Sequence, residues 1–426
     1  MKARLVRASY STLLRLATPA YLARLWWRGR HEPLYRQALH ERLGGHAGDP
    51  GQGRVWIHAV SLGETRAAAA LIDALRVLRP GLQLLLTHGT ATGREAGRAL
   101  LHDGDRQAWL PYDTPGAVRR FLRRHRPAVG VLMETEVWPN LLFAARDVGL
   151  PMVLANARLS ARSQAKGERA RALMRPAVAS FARVLAQTEA DARRLREAGA
   201  APVQVSGNLK FDVAPDAVQL ERGRAWRRDL GRPVVLATST REGEEEPLLV
   251  AWAALPLPRP LLVLVPRHPQ RFDLVAGWVP LAGLALARRS DWRDAPPADA
   301  AQADVWLGDS VGEMSLYYGL ADAALLGGSF APLGGHNLIE AAACGCPLVM
   351  GPHTFNFAQA AELSLAAGAS VRAVDLADAV QRAVALATDP QRDAWVLRAL
   401  AFAAEHRGAA ARMAAEVVSL IEPARR

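Results

Sequence analysis

The strongest constraint on the fold is an alternation, beginning near residue 54, of short apolar runs with alanine-rich stretches of helical period. This alternation is typical of βαβ units, in which crossover helices join consecutive parallel strands. The runs predicted as strands are residues 55–60, 82–88, 129–133, 152–155, 184–187 and 203–206 in the first half, and residues 234–238, 261–265, 305–307, 323–326 and 348–350 in the second. The pattern therefore predicts two doubly wound α/β domains with parallel sheets.

The boundary between the domains is predicted in residues 207–233, which are charged and show no strand period. A chain of 426 residues suits two hydrophobic cores better than one. We assign residues 31–212 to an N-terminal Rossmann-like domain and residues 213–426 to a C-terminal one, and its final helices are also compatible with packing on the first domain. Residues 399–421 are predicted to be helical. The strand C-termini of both domains are expected to face a shared cleft, where ligands bind in such sheets.

The composition favours an anionic partner and a reducing compartment. A net charge of +12 suits nucleic acid, an acidic membrane surface or a phosphorylated substrate, although an arginine-rich proteome produces the same excess. Cys344 and Cys346 supply neither a disulfide framework nor a four-ligand metal site. Asp103 and Asp105 are interpreted as a solvated turn, and no H-E-x-x-H or C-x-x-C pair occurs. We therefore expect no catalytic metal and no cofactor.

The first 30 residues are predicted to lie on a membrane, because they hold seven basic residues and no acidic one. Helical spacing gives them two faces: a polar one with Arg4, Arg7, Ser11, Arg15 and Thr18, and an apolar one with Val6, Tyr10, Leu13 and Ala17. Arg15 and Arg24 interrupt any apolar run of about 18 residues, which disfavours a spanning helix or a cleaved signal peptide. We expect a basic amphipathic helix in the headgroup region, anchored by Trp26 and Trp27. A surface helix packed on the body of the protein is the alternative.

Four predicted strand-to-helix junctions share one local pattern: Ser61-Leu-Gly-Glu64, Ser239-Thr-Arg-Glu242, Ser310-Val-Gly-Glu313 and Asn337-Leu-Ile-Glu340. Each approximates a capping box, in which the first side chain caps the helix and the glutamate reaches back. The other interpretation is ligand binding, because helix N-termini at the cleft present N–H groups and a positive dipole end to anions. Polar neighbours favour this second interpretation: His58, Arg241, Arg267, His268, His336 and Asn337.

Two further segments are candidates for the cleft. Residues 326–337 are rich in glycine, which lets backbone approach a ligand closely, but they match neither G-x-G-x-x-G nor the P-loop. Glu340, one helical turn further on, is placed to accept hydrogen bonds from a ribose. Glu134-Thr-Glu136 follows the predicted strand 129–133, and structural and functional interpretations of it stay open.

Taken together, these motifs resemble the Kdo transferases, the 3-deoxy-D-manno-octulosonic acid transferases of lipopolysaccharide biosynthesis. The resemblance runs from about residue 20 to 420, in the family's order. Its segments are His58-Ala-Val-Ser-Leu-Gly-Glu64, Glu134-Thr-Glu-Val-Trp-Pro-Asn140, Asn156-Ala-Arg-Leu-Ser160, Gly207-Asn-Leu-Lys-Phe-Asp212, Ser239-Thr-Arg-Glu-Gly-Glu244, Val265-Pro-Arg-His-Pro269, Gly327-Gly-Ser-Phe330, Gly334-Gly-His-Asn337 and Gly351-Pro-His-Thr-Phe-Asn-Phe357.

The resemblance implies a GT-B fold, CMP-Kdo as donor, a lipid A precursor (lipid IVA) as acceptor, inversion at the anomeric carbon and no required metal ion. It places the protein on the cytoplasmic side of the inner membrane, against an anionic surface, with no nucleic-acid partner. The family's catalytic base falls on Glu64. The CMP contacts fall on Pro266, Arg267, Val311, Gly312, Glu313, Asn337, Leu338, Ile339 and Glu340. Many relatives have Thr-Met where this chain has Ser310-Val311.

The residues are compatible with this chemistry. A general base takes the proton of the acceptor hydroxyl, and Arg267 with helix N-termini holds the leaving phosphate in place of a metal. The helix dipole lowers the pKa of Glu64, and partial burial is expected to offset this effect. Two other functions stay open: another nucleotide-sugar enzyme of GT-B fold, such as an epimerase or a UDP-sugar transferase, and a catalytically idle membrane-bound binding module.

Overall fold

The computed structural model describes residues 2–46, 52–212 and 214–421, with the side chains of residues 2–4 outside the described set. It forms two compact units. The first contains Met1–Asp212 and Arg407–Arg426, and the second contains Val213–His406. The chain therefore passes into the second unit at Asp212, and its last segment returns to the first.

Strands and helices alternate along most of the chain. The strands are β1 (Val55–His58), β2 (Leu84–His88), β3 (Arg106–Trp109), β4 (Val129–Met133), β5 (Met152–Ala157), β6 (Arg183–Ala186), β7 (Val203–Val205), β8 (Val234–Thr240), β9 (Leu261–Pro266), β10 (Leu286–Arg288), β11 (Val305–Leu307), β12 (Ala323–Leu326), β13 (Leu348–Met350) and β14 (Ser370–Arg372). The α-helices are α1 (Lys2–Arg28), α2 (Leu62–Leu78), α3 (Ala91–Arg98), α4 (Pro115–His125), α5 (Pro139–Asp147), α6 (Ala161–Arg169), α7 (Arg171–Val178), α8 (Glu189–Glu197), α9 (Ala217–Leu230), α10 (Glu245–Ala253), α11 (Phe272–Leu281), α12 (Met314–Leu320), α13 (Leu338–Ala343), α14 (Ala358–Ala366), α15 (Leu376–Ala387), α16 (Arg392–His406) and α17 (Ala409–Ser419).

The first unit is built on a parallel sheet of order β3-β2-β1-β4-β5-β6-β7. Strands β1 and β4 are buried along their whole length, as expected where helices cover both faces of a parallel sheet. Trp56 packs against Phe121 on one face, and Leu71 lies with Met413 in the core on the other. Because β1 and β4 are neighbours although they are distant in sequence, the loops that follow them open at the switch point of the sheet, where such folds bind ligands.

The second unit has a parallel sheet of order β10-β11-β9-β8-β12-β13-β14. Its switch point lies between β8 and β12, which are hydrogen-bonded neighbours. On the other side of β8, Thr240 pairs with Pro266 at the end of β9. The loops after β8, β9 and β12 therefore leave the sheet side by side.

The structure confirms the two parallel α/β sheets and corrects several details. Strands β3, β10 and β14 were not predicted, because these outer strands carry charged and half-buried residues in place of an apolar run. The single helix predicted over residues 399–421 is wrong. Helix α16 ends within this range, at His406, and Gly408, with φ of +87°, precedes the separate helix α17, which packs against α2 of the first unit.

Helix α1 packs against the rest of the first unit with part of the face that was predicted to be polar. Arg7 Nε donates to Asn140 Oδ1 at 3.2 Å, and the buried Ser11 is hydrogen-bonded to the same amide. Tyr10, assigned to the apolar face, donates to Asp113 at 2.9 Å. Residues of both predicted faces are therefore turned toward the rest of the first unit: Arg7 and Ser11 of the polar face and Tyr10 of the apolar one. Arg4 lies outside the described side chains.

The outward side of α1 is largely apolar. Its large exposed side chains are Leu5, Leu13, Leu16, Tyr21, Trp26 and Trp27. Arg15 and Arg24 are exposed among them. Within the described parts of the chain, no helix is both long enough and apolar enough to cross a membrane.

Candidate active site

Glu64 lies at the N-terminus of α2, directly after β1 and therefore at the switch point of the first unit. Ser61 caps the helix by accepting from the Glu64 backbone N–H at 3.4 Å. The Glu64 carboxylate reaches back and accepts from the Val60 N–H at 2.7 Å. The predicted capping box forms here, and it also fixes the position of the carboxylate.

The pKa of Glu64 is raised, and burial is the largest cause. The hydrogen bond from Val60 lowers the pKa, the negative charge of Glu134 raises it, and Ser61 and Arg158 lower it again. Burial therefore acts in the expected direction, against the hydrogen bonds that lower the pKa of Glu64. A carboxylate with a raised pKa is the stronger general base at neutral pH.

Backbone strain marks the ends of the two neighbouring strands, β4 and β5. Glu134 has φ of +55° and Asn156 has φ of +52°, a region that non-glycine residues rarely adopt. The Glu134 carboxylate accepts from Arg158 Nε at 2.8 Å. Asn156 is fully buried, and its Oδ1 accepts from the Leu209 N–H at 3.1 Å. Such strain clusters at functional sites, which supports this edge of the sheet as the site.

Glu136 is the most perturbed acid of the site. Burial and then the charge of Glu64 raise its pKa to about 7, although Trp138 donates to its Oε2 at 2.8 Å. The same Oε2 lies 4.0 Å from Nε2 of the buried His58. Burial lowers the pKa of His58 to about 3, so this histidine is neutral at neutral pH. The sequence left the role of Glu134-Thr-Glu136 open. In the structure, the charge of Glu134 raises the pKa of Glu64, and the charge of Glu64 raises the pKa of Glu136.

Arg267 and Glu340 are brought together in the second unit. Pro266 ends β9, and Arg267 follows it with an exposed side chain. Glu340 lies in the first turn of α13, where burial raises its pKa and the positive charge of Arg267 lowers it. Asn337 caps α13 by accepting from the Ile339 N–H at 3.2 Å. Because the side chains of Leu338 and Ile339 are buried, only their backbone is available to a ligand.

The segment Val311-Gly312-Glu313 does not form the predicted capping box. Ser310 Oγ lies 2.5 Å from the Tyr317 hydroxyl, and Glu313 is itself the residue before α12. The Glu313 carboxylate accepts from Arg222 at 2.8 Å and from Arg289 at 2.9 Å. Val311 is exposed, and Gly312 adopts φ of +85°. The carboxylate of Glu313 is therefore engaged in two ion pairs, whereas the backbone of Val311 and Gly312 is accessible to a ligand.

The capping box predicted at Ser239 is also wrong, because β8 continues through Thr240. The buried Glu244, which the sequence analysis did not single out, is the residue that organises this region. Its Oε2 accepts from the N–H groups of Arg241 at 3.0 Å and Gly328 at 2.8 Å. Its Oε1 accepts from Phe330 at 3.0 Å. One carboxylate thus joins the turn after β8 to the glycine-rich loop after β12.

The remaining polar candidates, Asp105, Cys344 and Cys346, have buried side chains. Asp105 does not lie in a solvated turn: its buried carboxylate accepts from Arg76 Nη2 at 2.6 Å and from the Leu84 N–H at 2.6 Å. Cys344 and Cys346 are both buried. Across residues 2–46, 52–212 and 214–421, no group of three or more His, Cys, Asp or Glu side chains is arranged to hold a metal ion.

This chain is similar to known proteins in sequence and in fold. Residues 37–213 match the family described as 3-Deoxy-D-manno-octulosonic-acid transferase (kdotransferase). The chain is 49% identical over 421 residues to the 3-deoxy-D-manno-octulosonic acid transferase of Bordetella pertussis, covering 95% of this chain and 97% of that one. It is 35% identical over 388 residues to the Haemophilus influenzae transferase, covering 89% and 90%. The solved glycotransferase of kitacinnamycin, 16% identical, covers 88% of this chain and 100% of its own with a TM-score of 0.53, which confirms the predicted GT-B fold.

Proposed function

This chain belongs to the 3-deoxy-D-manno-octulosonic acid transferase family of glycosyltransferases, and on that premise we propose that it transfers Kdo from CMP-Kdo to the lipid A precursor lipid IVA with inversion at the anomeric carbon. The observation that carries the proposal is the carboxylate of Glu64, held at the end of β1 with its pKa raised by burial. The reaction belongs to the assembly of the lipopolysaccharide core.

In this reaction, Glu64 is the general base. The acceptor hydroxyl oxygen bonds to the anomeric carbon, the bond to the CMP phosphate breaks, and the hydroxyl proton passes to the Glu64 carboxylate. General-base help of this kind contributes about 10² to 10⁴ in rate. Glu134 supports the role of Glu64, because its negative charge favours proton uptake by a neighbouring carboxylate.

The second unit holds the donor. Arg267 neutralises the phosphate that leaves with CMP, as a preorganised cation does for charge that develops in a transition state. Glu340 accepts a hydrogen bond from the ribose, and its raised pKa reflects the burial expected of a nucleotide pocket. Asn337 and the accessible backbone at Gly312 complete the contacts to the nucleotide. No metal ion is needed, because Arg267 provides the positive charge.

The protein works on the cytoplasmic side of the inner membrane, against its anionic surface. The exposed apolar side chains of α1, among them Leu16 at 75% exposure and Trp27 at 65%, suit the boundary between headgroups and acyl chains. Arg15 and Arg24 add attraction to anionic lipids of about 1 kcal/mol each. An acceptor whose acyl chains stay in the bilayer is then met at headgroup level by the first unit, which carries both α1 and Glu64.

A transfer assay tests the proposal. Purified protein is incubated with radiolabelled CMP-Kdo and a tetra-acylated lipid A precursor in excess EDTA, and the product is identified by mass. The proposal predicts labelled lipid and released CMP. Transfer from a UDP-sugar instead would favour another GT-B enzyme. Binding of CMP-Kdo without transfer would favour an idle binding module, and complete loss of activity in EDTA would contradict the role given to Arg267.

A further inference from the structure

The donor named above has two anionic groups on one carbon, because the anomeric carbon of an ulosonic acid bears both the carboxylate and the phosphate ester. A site for such a donor needs two separate sets of hydrogen-bond donors only a few ångströms apart. A nucleotide-sugar without the carboxylate needs only one. The second set therefore decides which class of sugar is accepted, and the inference rests on the proposed function.

The ends of β8 and β9 place two arginines side by side. Thr240 and Pro266 are paired in register, and the backbone N–H of Arg267 donates to the Thr240 carbonyl at 3.0 Å. Arg241 and Arg267 are thus the next residues on adjacent strand ends, which are about 4.8 Å apart in a sheet. Arg267 is the residue assigned to the phosphate.

The backbone of Arg241 is fixed by Glu244, which is only 2% exposed. The carboxylate that accepts from the Arg241 N–H at 3.0 Å also accepts from the Gly328 N–H at 2.8 Å. The turn that carries Arg241 is therefore held against the glycine-rich loop. The backbone from which the Arg241 side chain extends is thus already in position before a ligand binds.

His336 also lies beside Gly328. A β-carbon added to Gly328 would be 3.2 Å from Nε2 of His336 and 3.8 Å from Cγ of Arg241, so both side chains lie next to this glycine. Nε2 of His336 is shielded from solvent and has no hydrogen-bond partner in the part of the chain that the structure describes. Burial and then the charges of Arg267, Arg241 and His268 lower the pKa of His336 to about 4. The neutral imidazole is left with an unused ring nitrogen beside two cations.

We propose that Arg241 and His336 bind the carboxylate of the acidic sugar, while Arg267 binds the phosphate. The guanidinium of Arg241 supplies a charge-assisted hydrogen bond, and Nε2 of His336 donates a second one from the tautomer that carries its proton there. Gly328, with φ of +70°, lies beside both side chains, and a β-carbon there would come within 3.2 Å of the proposed donor Nε2 of His336. The pair makes the site specific for an acidic sugar.

Glu242 is the competing anion in the unliganded protein. Its carboxylate accepts from Arg241 Nε at 3.2 Å, and it is 54% exposed. Exposed ion pairs of this kind contribute little, so a substrate carboxylate aligned by two donors replaces it. Glu242→Gln is therefore expected to raise the affinity for the donor sugar.

Calorimetric titration of the full chain with CMP and with CMP-Kdo, without acceptor, tests the proposal. Arg241→Ala is expected to weaken CMP-Kdo binding about 10- to 100-fold, as for a lost charge-assisted bond, and to leave CMP affinity unchanged. His336→Ala is expected to act in the same direction. The matched control, Arg267→Ala, weakens both ligands, because both carry the phosphate.

Unchanged CMP affinity in Arg241→Ala also shows that the loop remains folded. If Arg241→Ala binds CMP-Kdo as tightly as the wild type, or loses affinity for both ligands equally, the carboxylate site is contradicted while the proposed function stands. A wild-type protein that binds neither CMP nor CMP-Kdo would contradict the proposed function and the carboxylate site together.

Discussion

The Oε2 atom of Glu136 lies 4.0 Å from Nε2 of His58, a histidine with no solvent exposure. Burial and the charge of Glu64 raise the pKa of Glu136 to about 7, so this acid is only partly ionised at neutral pH. Burial lowers the pKa of His58 to about 3, so this histidine is uncharged there. A protonated or partly protonated acid therefore faces a neutral imidazole, next to the carboxylate assigned as the base.

The first prediction concerns the pH dependence of stability. The pKa of Glu136 is about 7 in the folded protein, above its ordinary value of 4.5. The group therefore stabilises the fold below pH 4.5, and this contribution is lost as the pH rises through 7. Glu136→Gln removes the titration and should raise Tm, relative to wild type, more at pH 8 than at pH 5. Thermal denaturation at the two pH values measures this, with the exposed Glu189→Gln as control. An equal Tm difference at both values would be inconsistent with the raised pKa.

The second prediction concerns Arg267 and CMP. Arg267→Ala should weaken CMP binding by about 1.5 to 3 kcal/mol, as for a hydrogen bond to a charged group. Arg267→Lys should weaken it less, because an ammonium keeps the charge but not the planar pair of donors. Isothermal titration provides both values, and the exposed Arg293→Ala is the control in the same unit. Unchanged CMP affinity in Arg267→Ala would remove this residue from the nucleotide site.

The third prediction separates the two sides of α1. Leu16→Asp combined with Trp27→Asp should release the protein from anionic vesicles, because both side chains are exposed. Arg15→Glu with Arg24→Glu should weaken binding, and high salt should mimic only this second pair. Arg7→Ala should instead lower Tm, since Arg7 contacts Asn140 and Phe143. Vesicle flotation and thermal denaturation distinguish these outcomes. If the Leu16 and Trp27 variant still floats with vesicles, the membrane contact lies elsewhere.

The sequence predicts those parts of the site that depend on local structure. The junction at Ser61 and Glu64 was recognised because a capping box needs only residues a few positions apart. The central strands were recognised because burial on both faces requires continuous apolar runs, as in β4. The outer strand β3 was missed since Arg106 and Gln107 are only half-buried.

The features that were missed depend on contacts between distant segments. Glu244 bonds to Gly328 across 84 positions, and no spacing rule connects the two. The outward face of α1 depends on the hydrogen bonds of Ser11 with Asn140, which are 129 positions apart. Periodicity finds two faces of a helix, but only tertiary contacts decide which one faces the protein. The cleft predicted between the two units stays a prediction.

Turnover of Glu64→Gln tests the central claim most directly. The variant keeps the shape of the side chain but cannot accept the acceptor's proton, so transfer of Kdo should be abolished while CMP affinity and Tm stay near wild type. The control, Ser61→Ala, should lose about 1 kcal/mol of stability through the missing cap and, because it keeps the Glu64 carboxylate, retain transfer activity that Glu64→Gln lacks. Near-native transfer by Glu64→Gln, together with a lowered Tm, would contradict the account, because Glu64 would then be only a helix cap.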